Sequence, residues 1–210
     1  LIEPDHAALL ATSPDEAGHP ALAAFSALAS ELQTWLLVGS ITVGLGRGKL
    51  ANRSILLDRT GGIVARYDKI HLFGLRHGEE VYDEGETIEP GEAVVTVDIE
   101  GWTVGLSICY DLRFPELYRQ LASTGVSFIA VPSAFAPQTG KDHWEVLLRA
   151  RAIENQAFVL APAQCGQNSP DRASYGRSMI IDPWGLVLAQ AADRPCAIVA
   201  DCDLEQLQRI

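Results

Sequence analysis

The chain lacks any apolar run of the roughly 18 residues that a membrane-spanning helix needs, so no membrane span is expected. It is short of positive charge. Sixteen Lys and Arg stand against 27 Asp and Glu, and the net charge of −11 argues against a nucleic-acid surface. Cysteine is sparse and unpaired in pattern. Cys109, Cys165, Cys196 and Cys202 form no CxxC motif, and no His stands at metal-ligand spacing beside them. Neither a disulfide scaffold nor a metal site is expected, and a reducing cytoplasm fits best. There is no internal repeat, no linker and no low-complexity tract. No signal-peptide pattern is visible, and the first residue is Leu1 rather than Met. What the chain does have is an apolar content of 48% over 210 residues, which suits a single domain over 1–210 with a large core.

Hydrophobic periodicity predicts interleaved helices and strands. Residues 20–33 place Leu22, Phe25, Leu28, Ala29 and Leu32 on one helical face. "LLVGSITV", "SILLD" and "GIVARYDK" read as strands, the last two around an "RTGG" turn. Residues 74–92, rich in Gly and Glu without a period, read as a long loop of the kind that often carries function. "AVVTVDI" and "WTVGLSI" read as a hairpin. "FPELYRQLAS" opens a helix with Pro115 in its first turn. "VSFIAVPS" and "AFVLAPAQ" are strand-like. A helix is expected over 142–157 with Trp144, Leu147, Leu148 and Ile153 inward, and "RSMIIDPWGLVLAQ" reads as a second hairpin. The class is α/β with a mixed sheet.

Two positions invite chemistry. Cys109 ends the apolar run "WTVGLSI" and precedes a polar turn and a helix. A free Cys is commonly a small buried hydrophobe, and that reading suits Cys165, Cys196 and Cys202. A strand end followed by a helix, however, is where α/β folds often line a site. A thiol with an ordinary pKa of about 8.5 needs a cationic or basic neighbour to act as a nucleophile, and no His is close in sequence. Lys69, at the end of "GIVARYDK", is either a snorkelling strand-end lysine or a buried ammonium. In the second case it stabilises a thiolate and an oxyanion and requires a carboxylate partner. Glu79, Glu80, Glu84 and Glu86 are the candidates.

Taken together, "YDKIHLF", "GLSICYDLRFPELYR", "HWEVLLRARAIENQAFVLAPAQCG" and "RASYGRSMIIDPWG" resemble the nitrilase, or carbon–nitrogen hydrolase, superfamily, from about residue 35 to the end. The resemblance implies a four-layer αββα sandwich and a Glu–Lys–Cys triad that hydrolyses amides, carbamoyl groups or nitriles without metal or organic cofactor. It makes Cys109 the nucleophile, Lys69 the family lysine and Glu84 the glutamate that orients it, with the N–H of Tyr110 joining Lys69 around the oxyanion. The family's base glutamate follows an N-terminal strand in a "PE" motif, which spacing from Trp35 puts just before Leu1. Glu3 is the nearby alternative. On this reading the first strand and the C-terminal tail lie outside the sequence.

The "APAQCGQNSPDRASYGRSMIIDPWG" stretch looks most like the branch that hydrolyses deaminated glutathione to 2-oxoglutarate and cysteinylglycine. The neighbouring branch acts on 2-oxoglutaramate. Both substrates carry an α-keto carboxylate, and Arg113 is the expected cation, against an internal ion pair with Asp111 or a Glu. Phe135 and Thr139, within "SAFAPQTGKDHW", are expected to shape the pocket. His143 and Trp144 suit either role, and Arg177 stands where this branch often has His. A homodimer and a small-molecule amide substrate follow from the resemblance. A non-catalytic nitrilase-like binding protein is the alternative from another class.

Overall fold

The computed structural model describes residues 6–77, 80–170 and 172–210. The chain divides into two compact units, one ending at Val95 and the other running from Thr96 to Ile210. Among the described residues no helix is long and apolar enough to cross a membrane.

The first unit carries α1 (His6–Thr12), α2 (Pro20–Leu32), β1 (Leu36–Gly44), β2 (Leu50–Leu57), β3 (Ile63–Asp68), β4 (Gly74–His77) and β5 (Glu80–Asp83), then a 3₁₀ turn at Glu84–Glu86. β1, β2 and β3 form an antiparallel sheet with β2 in the centre. β2 is buried on both faces except at Arg53, as a central strand should be. Leu22 and Ala29 of α2 pack with Val38, Ile55 and Leu57 into the unit's core. The five-residue apolar stripe expected for this helix is narrower than the sequence suggested. Phe25, Leu28 and Leu32 are exposed, Leu32 by 60%. The helix is turned so that Ser26 lies between Leu22 and Ala29 on the packed line and donates to the Gly61 carbonyl at 2.7 Å. That hydrogen bond to the β2–β3 turn sets the rotation.

The expected loop over 74–92 is also corrected. β4 and β5 pair antiparallel from Gly74 opposite Asp83 to His77 opposite Glu80. Their polar composition hid the pairing, which backbone hydrogen bonds create. The segment beyond the Glu84–Glu86 turn is anchored through Gly91, whose N–H donates to the Lys69 carbonyl at 2.9 Å. A Cβ at Gly91 would lie 2.1 Å from the Asp68 carbonyl oxygen, so only glycine permits this approach.

The second unit contains β6 (Thr96–Ile99), β7 (Trp102–Leu106), α3 (Pro115–Ala122), β8 (Phe128–Ala130), α4 (Pro137–Asn155), β9 (Phe158–Ala161), β10 (Cys165–Ser169), β11 (Arg172–Tyr175), β12 (Met179–Ile181), β13 (Val187–Gln190) and α5 (Leu204–Arg209). Six strands form one sheet in the order β13-β12-β9-β8-β7-β6. The central β7, β8 and β9 are parallel, and the helices α3 and α4 connect them, as parallel strands require. Both expected hairpins form, β6–β7 and β12–β13. In the second turn Asp182 accepts from the N–H groups of Trp184 and Leu186 at 2.9 and 2.7 Å. α4 starts at Pro137, five residues before the expected helix. It buries Trp144 and Leu148 as expected but leaves Ile153 51% exposed. The inward positions in its last turns are instead Arg151, Ala152 and Asn155, because polar groups there have buried partners. β10 and β11 make a separate two-stranded ladder.

Candidate active site

Lys69 immediately follows β3, and the end of that strand is held firmly. Arg53 of β2 grips Asp68 with two hydrogen bonds of 2.6 and 2.8 Å and also meets Glu16 at 2.9 Å. The Lys69 N–H donates to the Asn52 carbonyl at 2.9 Å. Its side chain is only 3% exposed, as is that of Glu84, and the ammonium donates to Glu84 Oε2 at 2.5 Å. Glu84 also accepts from the Phe73 N–H at 2.8 Å and from Asn52 Nδ2 at 3.0 Å. Burial works to raise the Glu84 carboxyl. The charge of Lys69 and the hydrogen bonds from Lys69, Phe73 and Asn52 outweigh it and hold the group below the usual carboxylate range. An ammonium has three N–H bonds. Among the described residues Glu84 is the one acceptor found for them. Glu86 lies at the exposed end of the turn. Of the other candidate partners, Glu79 and also Glu3 lie outside the described residues, and for Glu80 only the backbone is described.

Cys109 opens a 3₁₀ turn, Cys109–Arg113, directly beyond β7. Its N–H donates to the Pro132 carbonyl at 2.9 Å, and the Ser107 N–H donates to Ala130 at 3.1 Å. The ladder between β7 and β8 therefore runs on to the thiol-bearing residue. Cys109 has φ +50, in the left-handed region, which costs a non-glycine residue on the order of 1–3 kcal/mol. Fully buried Asp111 holds the turn. It accepts from the Ile108 N–H at 2.8 Å and returns its own N–H to the Ile108 carbonyl at 3.1 Å. The residue as a whole is partly buried.

Behind this turn lies a buried polar network that sequence reasoning missed. Arg151, 5% exposed, donates twice to the Leu112 carbonyl, at 3.2 and 2.7 Å, and once to Glu154 at 2.8 Å. Its guanidinium lies 5.1 Å from the centre of the Tyr118 ring. The Tyr118 hydroxyl and Ser107 Oγ share a hydrogen bond of 2.9 Å, and Ser107 donates on to Ala130. Burial pushes the Tyr118 hydroxyl well above its ordinary range, so it stays neutral. The signal available in sequence was two polar residues, Arg151 and Asn155, four apart on an otherwise core-facing stripe.

The residues expected to contact substrate all fall in the second unit. Arg113 Nη1 lies 3.2 Å from His143 Nδ1, and its guanidinium stands 5.7 and 5.4 Å from the Tyr110 and Phe135 ring centres. The neighbours of the Arg113 guanidinium thus include an imidazole and two aromatic rings. Phe135 is buried against Trp144, with ring centres 5.0 Å apart. Trp144 is fully buried and donates to the Arg177 carbonyl at 2.8 Å, which makes its role structural. Thr139 is partly buried in the first turn of α4, where its hydroxyl reaches the Ala136 carbonyl at 3.4 Å. Arg177 turns to Asp193, 3.3 Å away at the surface.

Comparison with known proteins agrees with this architecture. The carbon-nitrogen hydrolase family profile matches residues 3–210. The chain is 42% identical over 189 residues to the deaminated glutathione amidase of Synechocystis sp., covering 87% of this chain and 69% of that protein. It is 43% identical over 198 residues to the mouse (Mus musculus) protein of the same name, covering 90% of this chain and 60% of the relative. It thus spans well under the full length of these relatives. The crystal structure of Saccharomyces cerevisiae Nit3, described as a member of branch 10 of the nitrilase superfamily, superposes with a TM-score of 0.87. The identity is 30%, with 98% of this chain and 74% of that chain covered. The mixed α/β architecture with several sheets is thus that of nitrilase-fold proteins. On the extent of the profile match and the identity to these relatives, the chain belongs to the carbon–nitrogen hydrolase family.

Proposed function

We propose that the protein is a thiol amidase that cleaves the C–N bond of a small α-keto acid amide, with deaminated glutathione as substrate and 2-oxoglutarate and cysteinylglycine as products. The observation that carries this reading is the buried Lys69–Glu84 pair, in which the ammonium has Glu84 as its one acceptor among the described residues. A buried cation held by one carboxylate costs desolvation energy that a well-packed apolar pair would avoid. A cation kept ready for a developing negative charge accounts for that cost. The names of the relatives support the amide class and the substrate.

In this mechanism the Cys109 thiolate attacks the amide carbonyl. A carbon–sulfur bond forms and the carbonyl electron pair moves to oxygen, where the Lys69 ammonium and the Tyr110 N–H stabilise it. The oxyanion pair then re-forms the C=O bond as the C–N bond breaks, the amine leaves with the proton that the Cys109 thiol gave up, carried by the further glutamate, and a thioester remains on Cys109. Water attacks the thioester and regenerates the thiol. Glu84 holds Lys69 oriented throughout, and the family resemblance assigns proton transfer to a further glutamate. Arg113 grips the α-keto carboxylate, and Phe135 and Thr139 bound the substrate.

Product analysis decides the substrate. Deaminated glutathione should release cysteinylglycine without ammonia, and 2-oxoglutaramate should be turned over more slowly while releasing ammonia. Faster turnover of 2-oxoglutaramate moves the protein to the neighbouring activity, and no turnover of either overturns the enzyme reading. Peptide mass analysis after iodoacetamide treatment should find Cys109 modified before Cys165, Cys196 or Cys202. The reading also makes the protein a cytoplasmic homodimer. All four cysteines are free thiols, which suits a reducing compartment, and light scattering of the purified protein measures the dimer.

A further inference from the structure

Asn52 occupies an unusual position. It sits on the central strand β2 and is 4% exposed. Its side-chain Nδ2 donates to Glu84 Oε1 at 3.0 Å, and its backbone carbonyl accepts the Lys69 N–H at 2.9 Å. One residue therefore touches both members of the buried ion pair, each through a different group. Its remaining polar atom, Oδ1, is buried with no hydrogen-bond partner among the described residues. A buried amide left half-satisfied is costly. A strand position chosen only for packing would carry Val or Ile.

We propose that Asn52 is a positioning residue for the Lys69–Glu84 pair, its side-chain amide fixing the Glu84 carboxylate while its carbonyl fixes the Lys69 backbone. Glu84 Oε2 is taken up by Lys69 and the Phe73 N–H. Asn52 supplies the hydrogen bond on Oε1. Without it that buried oxygen has no hydrogen-bond partner among the described residues. The carboxylate is then free to turn about its bond and to take up a proton, and either change moves the ammonium. Lys69 is the charged group that acts on Glu84. Lys49 reaches the same turn but donates to the Gly85 and Glu86 carbonyls, at 3.0 and 3.1 Å.

The inference rests on the amidase reading for its consequence in turnover, but not for its test. Asn52→Leu keeps the volume and deletes the donor. Asn52→Asp keeps the shape and offers a donor only while its own carboxyl is protonated. Two readouts are needed, each beside a thermal melt. The first is a ¹³C NMR titration of the Glu84 carboxyl in the full chain, assigned through Glu84→Gln. It should move to higher pH in Asn52→Leu. The second is the pH profile of turnover. Asn52→Leu should lose about 10- to 100-fold in kcat, as small displacements of catalytic groups do, with KM little changed and the acid limb moved up. Asn52→Asp should be most active in acid and lose activity as its carboxyl ionises beside Glu84. If Asn52→Leu does not fold, the Asp variant carries both readouts. A Glu84 titration unchanged from wild type in the folded variants overturns the inference, as does a kcat profile parallel to wild type. A wild-type protein without amidase activity in which Asn52→Leu still shifts the Glu84 titration leaves the positioning role standing and removes the enzyme reading.

Discussion

The two units hold their chemically distinctive residues by different means. In the first, a buried cation and a buried anion satisfy each other, and the sheet around them supplies neutral donors from Phe73 and Asn52. In the second, the distinctive residue is a cysteine whose backbone is the strained element. Cys109 sits at φ +50 and is held by a ladder hydrogen bond to Pro132, by Asp111 and, further back, by Arg151 on the Leu112 carbonyl. The difference teaches where each half is vulnerable. The first fails when charge balance is lost, the second when the turn's scaffold is lost.

The strongest test of that contrast is Lys69→Met. Glu84 would remain buried without its counter-charge. Removing one partner of a buried pair costs about 3–5 kcal/mol, so the urea midpoint should fall sharply and turnover should vanish. Replacing both, as Lys69→Met with Glu84→Leu, should recover much of the stability and none of the activity. A double variant as unstable as the single one would show that packing, not charge, holds this half together.

Arg113 asks whether the second unit also uses charge. Arg113→Ala should cost about 2–5 kcal/mol in transition-state stabilisation for an amide bearing a carboxylate, read as a rise in KM. Arg113→Lys should recover little of that loss, because lysine lacks the planar fork. An amide without the carboxylate should be indifferent to both changes. Equal loss on both amides would return Arg113 to a structural role beside His143.

A smaller effect is expected from Arg151→Met. The Leu112 carbonyl would lose both of its donors and remain buried, at a cost of about 1–3 kcal/mol. Turnover should fall along with the rate of Cys109 alkylation, since the turn loosens. Unchanged alkylation in a destabilised variant would separate Arg151 from the nucleophile.

The smallest effect is in acid. The Glu84 carboxyl is depressed on folding. The stability it contributes is therefore present above its unfolded value, about 4.3, and is lost as pH falls through the folded value. The difference in urea midpoint between wild type and Glu84→Gln should be constant near neutrality and shrink only below about pH 4. A difference that shrinks already between pH 7 and 5 would mean that the pair does not hold Glu84 ionised.

Some of this was legible along the chain. The strand end before Cys109, the strand before Lys69 and both hairpins of the larger sheet follow from apolar runs bounded by turn residues, and the structure has them where expected. It was the family resemblance that pointed to Glu84. Local pattern alone narrowed the Lys69 carboxylate only to four glutamates, because "HGEEVYDEGE" has no period that says which one turns inward. The hairpin of β4 and β5 was hidden for the same reason. The helical stripe over 20–33 misled because periodicity shows which residues share a face, not how a helix is rotated. The Ser26–Gly61 hydrogen bond set that rotation.

The sequence by itself determined the α/β class, the order of strands and helices, and the identity of the reactive residue types, since these depend on local periodicity, turn chemistry and side-chain functional groups. The Lys69–Glu84 pair, which only the family resemblance had pointed to, is made by the tertiary structure, and the tertiary structure alone decided that Asn52 touches both and that Arg151 stands behind the Cys109 turn. Those partners are 15, 32 and 39 residues apart in the pairs Lys69–Glu84, Asn52–Glu84 and Leu112–Arg151. A buried charge or carbonyl takes whichever group the fold brings within about 3 Å, and at such separations no local pattern carries that information.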